Sequence, residues 1–145
     1  MKKYIILMTV TLLCFTSCEE EAVLGCTDQA AANYDSSATE NDGSCQYSIV
    51  GTWYFTSLIV DGVETSTSGD YWTFYSDGTY LSYIAGVGTE IGTWGGSGNS
   101  LTLTSIELNG ESFINTGTFN VELNSTTLIV SGTLGGVSVS ATLSS

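Results

Sequence analysis

The chain has 145 residues, with 15 acidic and 2 basic side chains, 4 Cys, no His and no Pro. Both basic residues, Lys2 and Lys3, stand at the extreme N-terminus, so everything after them carries negative charge only. Such a surface repels a phosphate backbone and excludes nucleic-acid binding. Without His or a downstream Lys, no base tuned near neutrality can activate a Ser or Thr. The remaining catalytic route is a carboxylate pair at defined separation, and no such pair can be placed, so the chain reads as a non-enzyme.

In chain order, Lys2-Lys3 precedes the apolar run Tyr4 to Phe15 and the small-residue stretch Thr16-Ser17-Cys18. A charged start, an apolar core and a small-residue cleavage site predict a secretory signal over residues 1–17. The run is too short for a permanent span, which needs about 20 residues. Leu13-Cys14-Phe15-Thr16-Ser17-Cys18 resembles the lipobox of bacterial lipoproteins. The resemblance implies cleavage before Cys18 and acylation of its thiol, palmitate included; two or more chains hold stably where one is marginal. Residues 18–24 form an acidic tether, and Glu19-Glu20-Glu21 is similar to the export signal of surface-exposed lipoproteins in Bacteroidota-type bacteria. The implied location is the outer membrane, lipid-anchored and exposed at the cell surface.

Residues 25–46 form the next unit. With Cys18 committed to lipid and Cys14 lost with the signal, Cys26 and Cys45 are the pair left to join in an oxidising compartment. Closing that loop removes unfolded-state entropy worth about 3 kcal/mol, which matters because the enclosed segment has few large apolar groups beyond Tyr34. Oxygen donors crowd between the cysteines at Asp28, Asn33, Asp35, Asn41 and Asp42, with Glu40 beside them and Gly43 at a turn. Hard cations such as calcium are held by donors of this type on short loops, although the spacing is not that of an EF-hand. Gly25-Cys26-Thr27-Asp28, Asn33-Tyr34-Asp35, Ala38 and Asp42-Gly43-Ser44-Cys45 resemble a short repeat of bacterial surface proteins that is itself similar to thrombospondin type 3 calcium repeats. Gln29 and Ser36 stand where that repeat usually has proline. The resemblance implies a weak calcium site, about 10⁻⁴–10⁻³ M, with Asp28, Asn33, Asp35, Asn41 and Asp42 as metal ligands. An acidic, disulfide-closed spacer without metal is the alternative.

From residue 47 to 145 the apolar residues alternate in short runs broken by Gly, Asn, Asp and Ser, with no helical period. The runs predict eight strands: Val50–Val60, Tyr71–Tyr75, Thr79–Ile84, Thr89–Trp94, Ser100–Leu108, Ser112–Leu123, Thr127–Ser131 and Val137–Leu143. Asp61-Gly62, Asp77-Gly78 and Asn109-Gly110 suit tight hairpins, whereas Gly95 to Asn99 and Gly135-Gly136 read as looser connectors. The expected fold is all-β: a small eight-stranded antiparallel up-and-down barrel preceded by the disulfide-closed acidic loop, with a two-sheet sandwich as the competing architecture. Alternation assigns to the core Phe113, Phe119, Val121 and Leu123, then Leu101 with Leu103, Leu128 with Val130, and Val137 with Val139, Ala141 and Leu143. Trp72, Phe74, Tyr80 and Ile84 join them, and Glu122 falls outside.

Val50-Gly51-Thr52-Trp53, Thr73-Phe74-Tyr75-Ser76-Asp77-Gly78-Thr79-Tyr80, Gly92-Thr93-Trp94 and Asn99-Ser100-Leu101-Thr102-Leu103 resemble the lipocalin-like domains common in bacterial lipoproteins. The resemblance implies a barrel whose closed end is crossed by Trp53, here without an arginine to stack on it and without the usual helix. A barrel of eight strands is filled by its own side chains or holds one small ligand. The aromatics Trp53, Trp72, Phe74, Tyr80, Trp94 and Phe113 are enough to fill most of it. If a pocket exists, it lies among Trp53, Phe74, Tyr80, Glu90 and Trp94, with Tyr80 and Glu90 as its polar fixtures. Two functions follow: a lipoprotein whose barrel binds a small apolar ligand, or a structural or adhesive display module with a filled barrel contacting a protein or glycan.

Overall fold

The computed structural model describes residues 20–145, so the signal segment, Cys18 and Glu19 lie outside the described residues. Two short strands come first, β1 (Leu24–Gly25), just before Cys26, and β2 (Glu40–Asn41), inside the cysteine loop, paired in parallel. Then follow β3 (Gly51–Val60), β4 (Val63–Thr65), β5 (Tyr71–Phe74), β6 (Thr79–Ile84), β7 (Gly88–Ser97), β8 (Ser100–Leu108), β9 (Glu111–Leu123), β10 (Thr127–Leu134) and β11 (Val137–Ser144). No helix occurs among the described residues.

Hydrogen bonding runs β4-β3-β5-β6-β7-β8-β9-β10-β11, and β11 returns to β3 through antiparallel pairs from Val139↔Val60 to Ser144↔Tyr54. Among the described residues, the expected eight strands close into a barrel. The short β4 is an additional arm, folded back on the end of β3 by the Asp61-Gly62 turn. Closure removes the unpaired edges an open sheet would expose. The hairpins follow from turn chemistry: Asp61-Gly62, Asn109-Gly110 and Gly135-Gly136 all have positive φ at both central positions, the backbone that a two-residue type I′ turn requires. Gly135-Gly136 is therefore a tight turn rather than a loose connector. Gly95, Gly96 and Ser97 belong to β7, paired with Thr102, Leu101 and Ser100.

Inside the barrel lie Trp53, Phe55, Leu58, Trp72, Phe74, Tyr80, Leu101, Leu103, Phe119, Leu128, Val130, Ala141 and Leu143, all buried. Each fully buried large side chain contributes roughly 1.5–3 kcal/mol. The alternation in β3 changes phase. Phe55 pairs with Leu143 and Ser57 with Thr142, which leaves Thr56 as an extra residue, so the inward set shifts from Trp53 and Phe55 to Leu58 and Val60.

Two core assignments need correction, those of Phe113 and Val137. Phe113 is 37% exposed. The residues of β9 before Gly117 pair with β8 on one side but have no β10 partner on the other, so this hairpin projects past the core. Val137, at the β10–β11 hairpin tip, is exposed, while Val139 is half-buried and packs against the core with Ile84, Val121 and Leu123.

Candidate functional site

The residues expected to line a pocket are brought together, but as packed interior. Trp53, Phe74 and Tyr80 are buried. Phe74 sits at the crossing of three rings, with centroids 5.7 Å from Trp94, 5.9 Å from Trp72 and 6.4 Å from Tyr80. Trp72 packs in turn on Phe55 at 5.1 Å and Phe119 at 6.2 Å. The indole donors are all used: Trp53 Nε1 donates to the Ile49 carbonyl at 2.7 Å, Trp72 Nε1 to Ser82 Oγ at 3.0 Å and Trp94 Nε1 to the Tyr75 carbonyl at 2.9 Å. With every indole satisfied and Trp72, Phe74 and Tyr80 in ring contact, the buried aromatics act as core, and Trp94 packs half-buried against their edge.

The polar fixtures also meet. Glu90, Gly92 and Trp94 share the inward face of β7, and Tyr80 stands opposite Gly92. The Tyr80 hydroxyl donates to Glu90 Oε1, Ser105 Oγ donates to the same oxygen at 2.7 Å, and the two hydroxyls lie 3.1 Å apart. Burial, then the bond to the Glu90 carboxylate, pushes the Tyr80 phenol above its ordinary pKa of 10.0, against a smaller opposing effect of Ser105. A β-carbon at Gly92 would come within 2.2 Å of the Thr104 carbonyl and 2.7 Å of the Tyr80 ring, so only glycine lets that ring lie against the strand.

Sequence reading missed Ser105 and Asp70. Ser105 was legible, because it shares parity with Leu101 and Leu103 on β8. Asp70 is 1% exposed: its Oδ1 accepts the Ala85 amide at 2.8 Å, and its Oδ2 has no hydrogen-bond partner among the described residues. Its carbonyl accepts the Phe55 amide at 3.0 Å, so it ties the β6–β7 turn to β3. No local pattern around Ser68-Gly69-Asp70 signals that burial.

At the end of the barrel where the cysteine loop joins, a cleft of about 680 Å³ opens between the Cys45–Ile49 segment and the β7–β8 turn. Ile49, Trp94, Leu101 and Val121 give it an apolar floor, and Gln46, Asn99 and Glu122 a polar rim. Its volume falls within the range of small-molecule sites. Of the anticipated pocket residues, Trp94 alone lines it.

The cysteine loop is closed by the Cys26–Cys45 disulfide, with Cα atoms 4.8 Å apart. Its oxygen donors serve the loop itself. Asp28 Oδ1 accepts the Ala30 amide at 2.9 Å and Oδ2 the Tyr47 hydroxyl at 2.7 Å. Asp35 Oδ1 accepts the Ser37 amide, Asn41 Oδ1 the Gly43 amide and Asp42 Oδ1 the Ser44 amide. Asn33 bridges the two arms, accepting the Gln46 amide at 2.7 Å and donating to the Ser44 carbonyl at 2.8 Å. The Ala30 amide and then the Tyr47 hydroxyl hold the Asp28 carboxyl below its ordinary pKa, and the Ser37 and Ser44 hydroxyls, followed by the amides of the same residues, do so for Asp35 and Asp42. No group of three or more His, Cys, Asp or Glu side chains that could hold a metal occurs among the described residues. Asp28, Asp35, Asn41 and Asp42 each spend one oxygen on the amide two residues ahead, so what the structure shows of the donor set anticipated from the calcium repeats is a series of capped turns.

A closed antiparallel barrel with Trp53 on its first long strand and a packed aromatic interior defines a lipocalin-like body. Residues 49–130, more than half of the chain, match the family model of the lipocalin-like domain, and the chain belongs to that family. Among solved structures, an uncharacterised protein from Bacteroides eggerthii DSM 20697 is similar, with 15% identity, 66% of this chain and 98% of that chain covered, and a TM-score of 0.47. No curated protein matches the chain.

Proposed function

We propose that this protein is a non-enzymatic lipoprotein, held on the outer membrane through acylated Cys18 and displayed at the cell surface. In this reading its lipocalin-like barrel is a packed body that presents binding surfaces, and the disulfide-closed loop spaces it from the anchor. The observation that carries the display reading is the filled interior: Trp72, Phe74, Tyr80 and Phe119 occupy the volume a ligand would need. The lipobox-like stretch before Cys18 and the acidic tether support the anchor. The test is labelling with radioactive palmitate, followed by protease treatment of intact cells. Wild type should incorporate label and be digested, while Cys18→Ala should do neither. An unlabelled wild-type protein sinks the anchor, and protection from protease sinks the display.

The end cleft favours a second reading, in which a small apolar ligand is bound there against Trp94. Fatty acid titrated into the soluble domain should then quench tryptophan fluorescence, and Trp94→Phe should abolish the response. A flat wild-type titration removes this reading.

A further inference from the structure

Tyr54, Tyr71 and Tyr83 stand side by side on the outer wall of the barrel. They are direct cross-strand partners, Tyr54↔Tyr71 between β3 and β5 and Tyr71↔Tyr83 between β5 and β6. Their ring centroids are 6.1 Å and 5.8 Å apart, the second pair stacked with an interplanar angle of 25°. Tyr54 is 53% exposed and Tyr83 37%. The result is an aromatic ladder crossing three strands, exposed at Tyr54 and Tyr83 and half-buried at Tyr71 between them.

Cross-strand aromatic pairs strengthen a sheet, but that role does not explain the surroundings. The next outward row is Thr52, Thr73, Leu81 and Ile91, and the ladder itself continues to Thr89 on β7. In a chain with 15 acidic residues, this wall of β3, β5 and β6 has no ionised side chain.

The chemistry selects the partner. Polyanions are excluded because the described residues contain no cation to meet them. A basic protein would gain more from the carboxylate-bearing parts of the surface than from a wall without charge. A second copy of the chain would bring two acidic bodies together with no cation to bridge them. What remains complementary is an uncharged polymer with alternating apolar faces and hydroxyl edges. Pyranose rings have such faces, which lie flat on aromatic rings, while phenol and threonine hydroxyls meet the hydroxyl edges. Three rings at these intervals, one pair tilted by 56° and the other stacked, present their edges, their hydroxyls and the uncovered part of their faces to successive sugars.

We propose that the Tyr54–Tyr71–Tyr83 ladder is a binding surface for an extended, uncharged polysaccharide. This rests on the display reading above, since a packed barrel binds on its outside. The test is affinity electrophoresis of the soluble domain, residues 20–145, in gels containing hydroxyethyl cellulose or galactomannan, with alginate as the polyanion control. Wild type should be retarded by a neutral polymer and not by alginate. The triple variant Tyr54→Thr/Tyr71→Thr/Tyr83→Thr, which keeps strand-forming residues, should lose at least tenfold in apparent affinity with an unchanged circular dichroism spectrum. Tyr71→Phe, which keeps the ring, should retain most of the affinity should the triple variant fail to fold. Three outcomes overturn the proposal: no retardation by either neutral polymer, equal retardation of wild type and a folded triple variant, or self-association of wild type that the triple variant abolishes. Palmitate labelling reads the anchored display separately, so loss of polysaccharide binding leaves that reading standing.

Discussion

Gly92 shows how a single residue sets the barrel interior. The Tyr80 ring occupies the space above it, and the Thr104 carbonyl closes on the position of an added β-carbon. Overpacking of this kind costs about 1–3 kcal/mol, so Gly92→Ala should lower unfolding stability by that amount in urea titration, whereas Gly95→Ala, with open space around it, should not. Tyr80 itself is held protonated by burial and by Glu90. Its folded pKa lies above its unfolded value, so its contribution is complete below the ordinary phenol pKa and is lost as pH rises beyond it. Thermal melting should therefore fall steeply on the alkaline side. Tyr80→Phe should flatten that limb and lower stability near neutrality by about 1–3 kcal/mol, the cost of a hydrogen bond removed from a charged group.

At the level of the element, the cysteine loop and the hairpins obey local rules. The loop has no core of its own; a disulfide, the Asn33 bridge between its arms and the Asp28–Tyr47 contact hold it. Reduction, or Cys26→Ser with Cys45→Ser, should remove about 3 kcal/mol from the loop and expose it to protease while the barrel's melting stays in place. Calcium and a chelator should give superimposable melting curves. The depressed carboxyls of Asp28, Asp35, Asp42 and Asp77 stabilise their turns above the ordinary aspartate pKa. That support is lost as pH falls through their lower folded values, and carboxyl carbon titration by NMR should show all four with midpoints below an exposed aspartate. The eight barrel strands were legible in order with their ends within three residues, because Asp-Gly and Asn-Gly turns and period-two alternation are local signals, whereas the short β4 and the last three residues of β7 and β10 were not. Nor were Phe113 and Leu58. The exposure of Phe113 depends on β9 outrunning β10, and the burial of Leu58 on a bulge at Thr56 that only pairing with β11 creates.

For the whole molecule, charge acts in one direction. The described residues contain acids and no bases, so salt has repulsion to screen and no ion pair to weaken. Raising sodium chloride from low to moderate concentration should raise the melting temperature, by about 4–8 °C for each kcal/mol of repulsion relieved in a domain of this size. A fall on adding salt would contradict that charge distribution. The all-β class, the eight barrel strands and the pairing of Cys26 with Cys45 were readable in the chain alone, because each rests on composition or on spacing between near neighbours, whereas the return of β11 to β3 that closes the barrel joins segments far apart in sequence. The meeting of Tyr80, Glu90 and Ser105, the burial of Asp70, the end cleft and the alignment of Tyr54, Tyr71 and Tyr83 across three strands came only with the fold. Each depends on register between segments distant in sequence, and a shift of one residue turns every side chain of a strand to the opposite face.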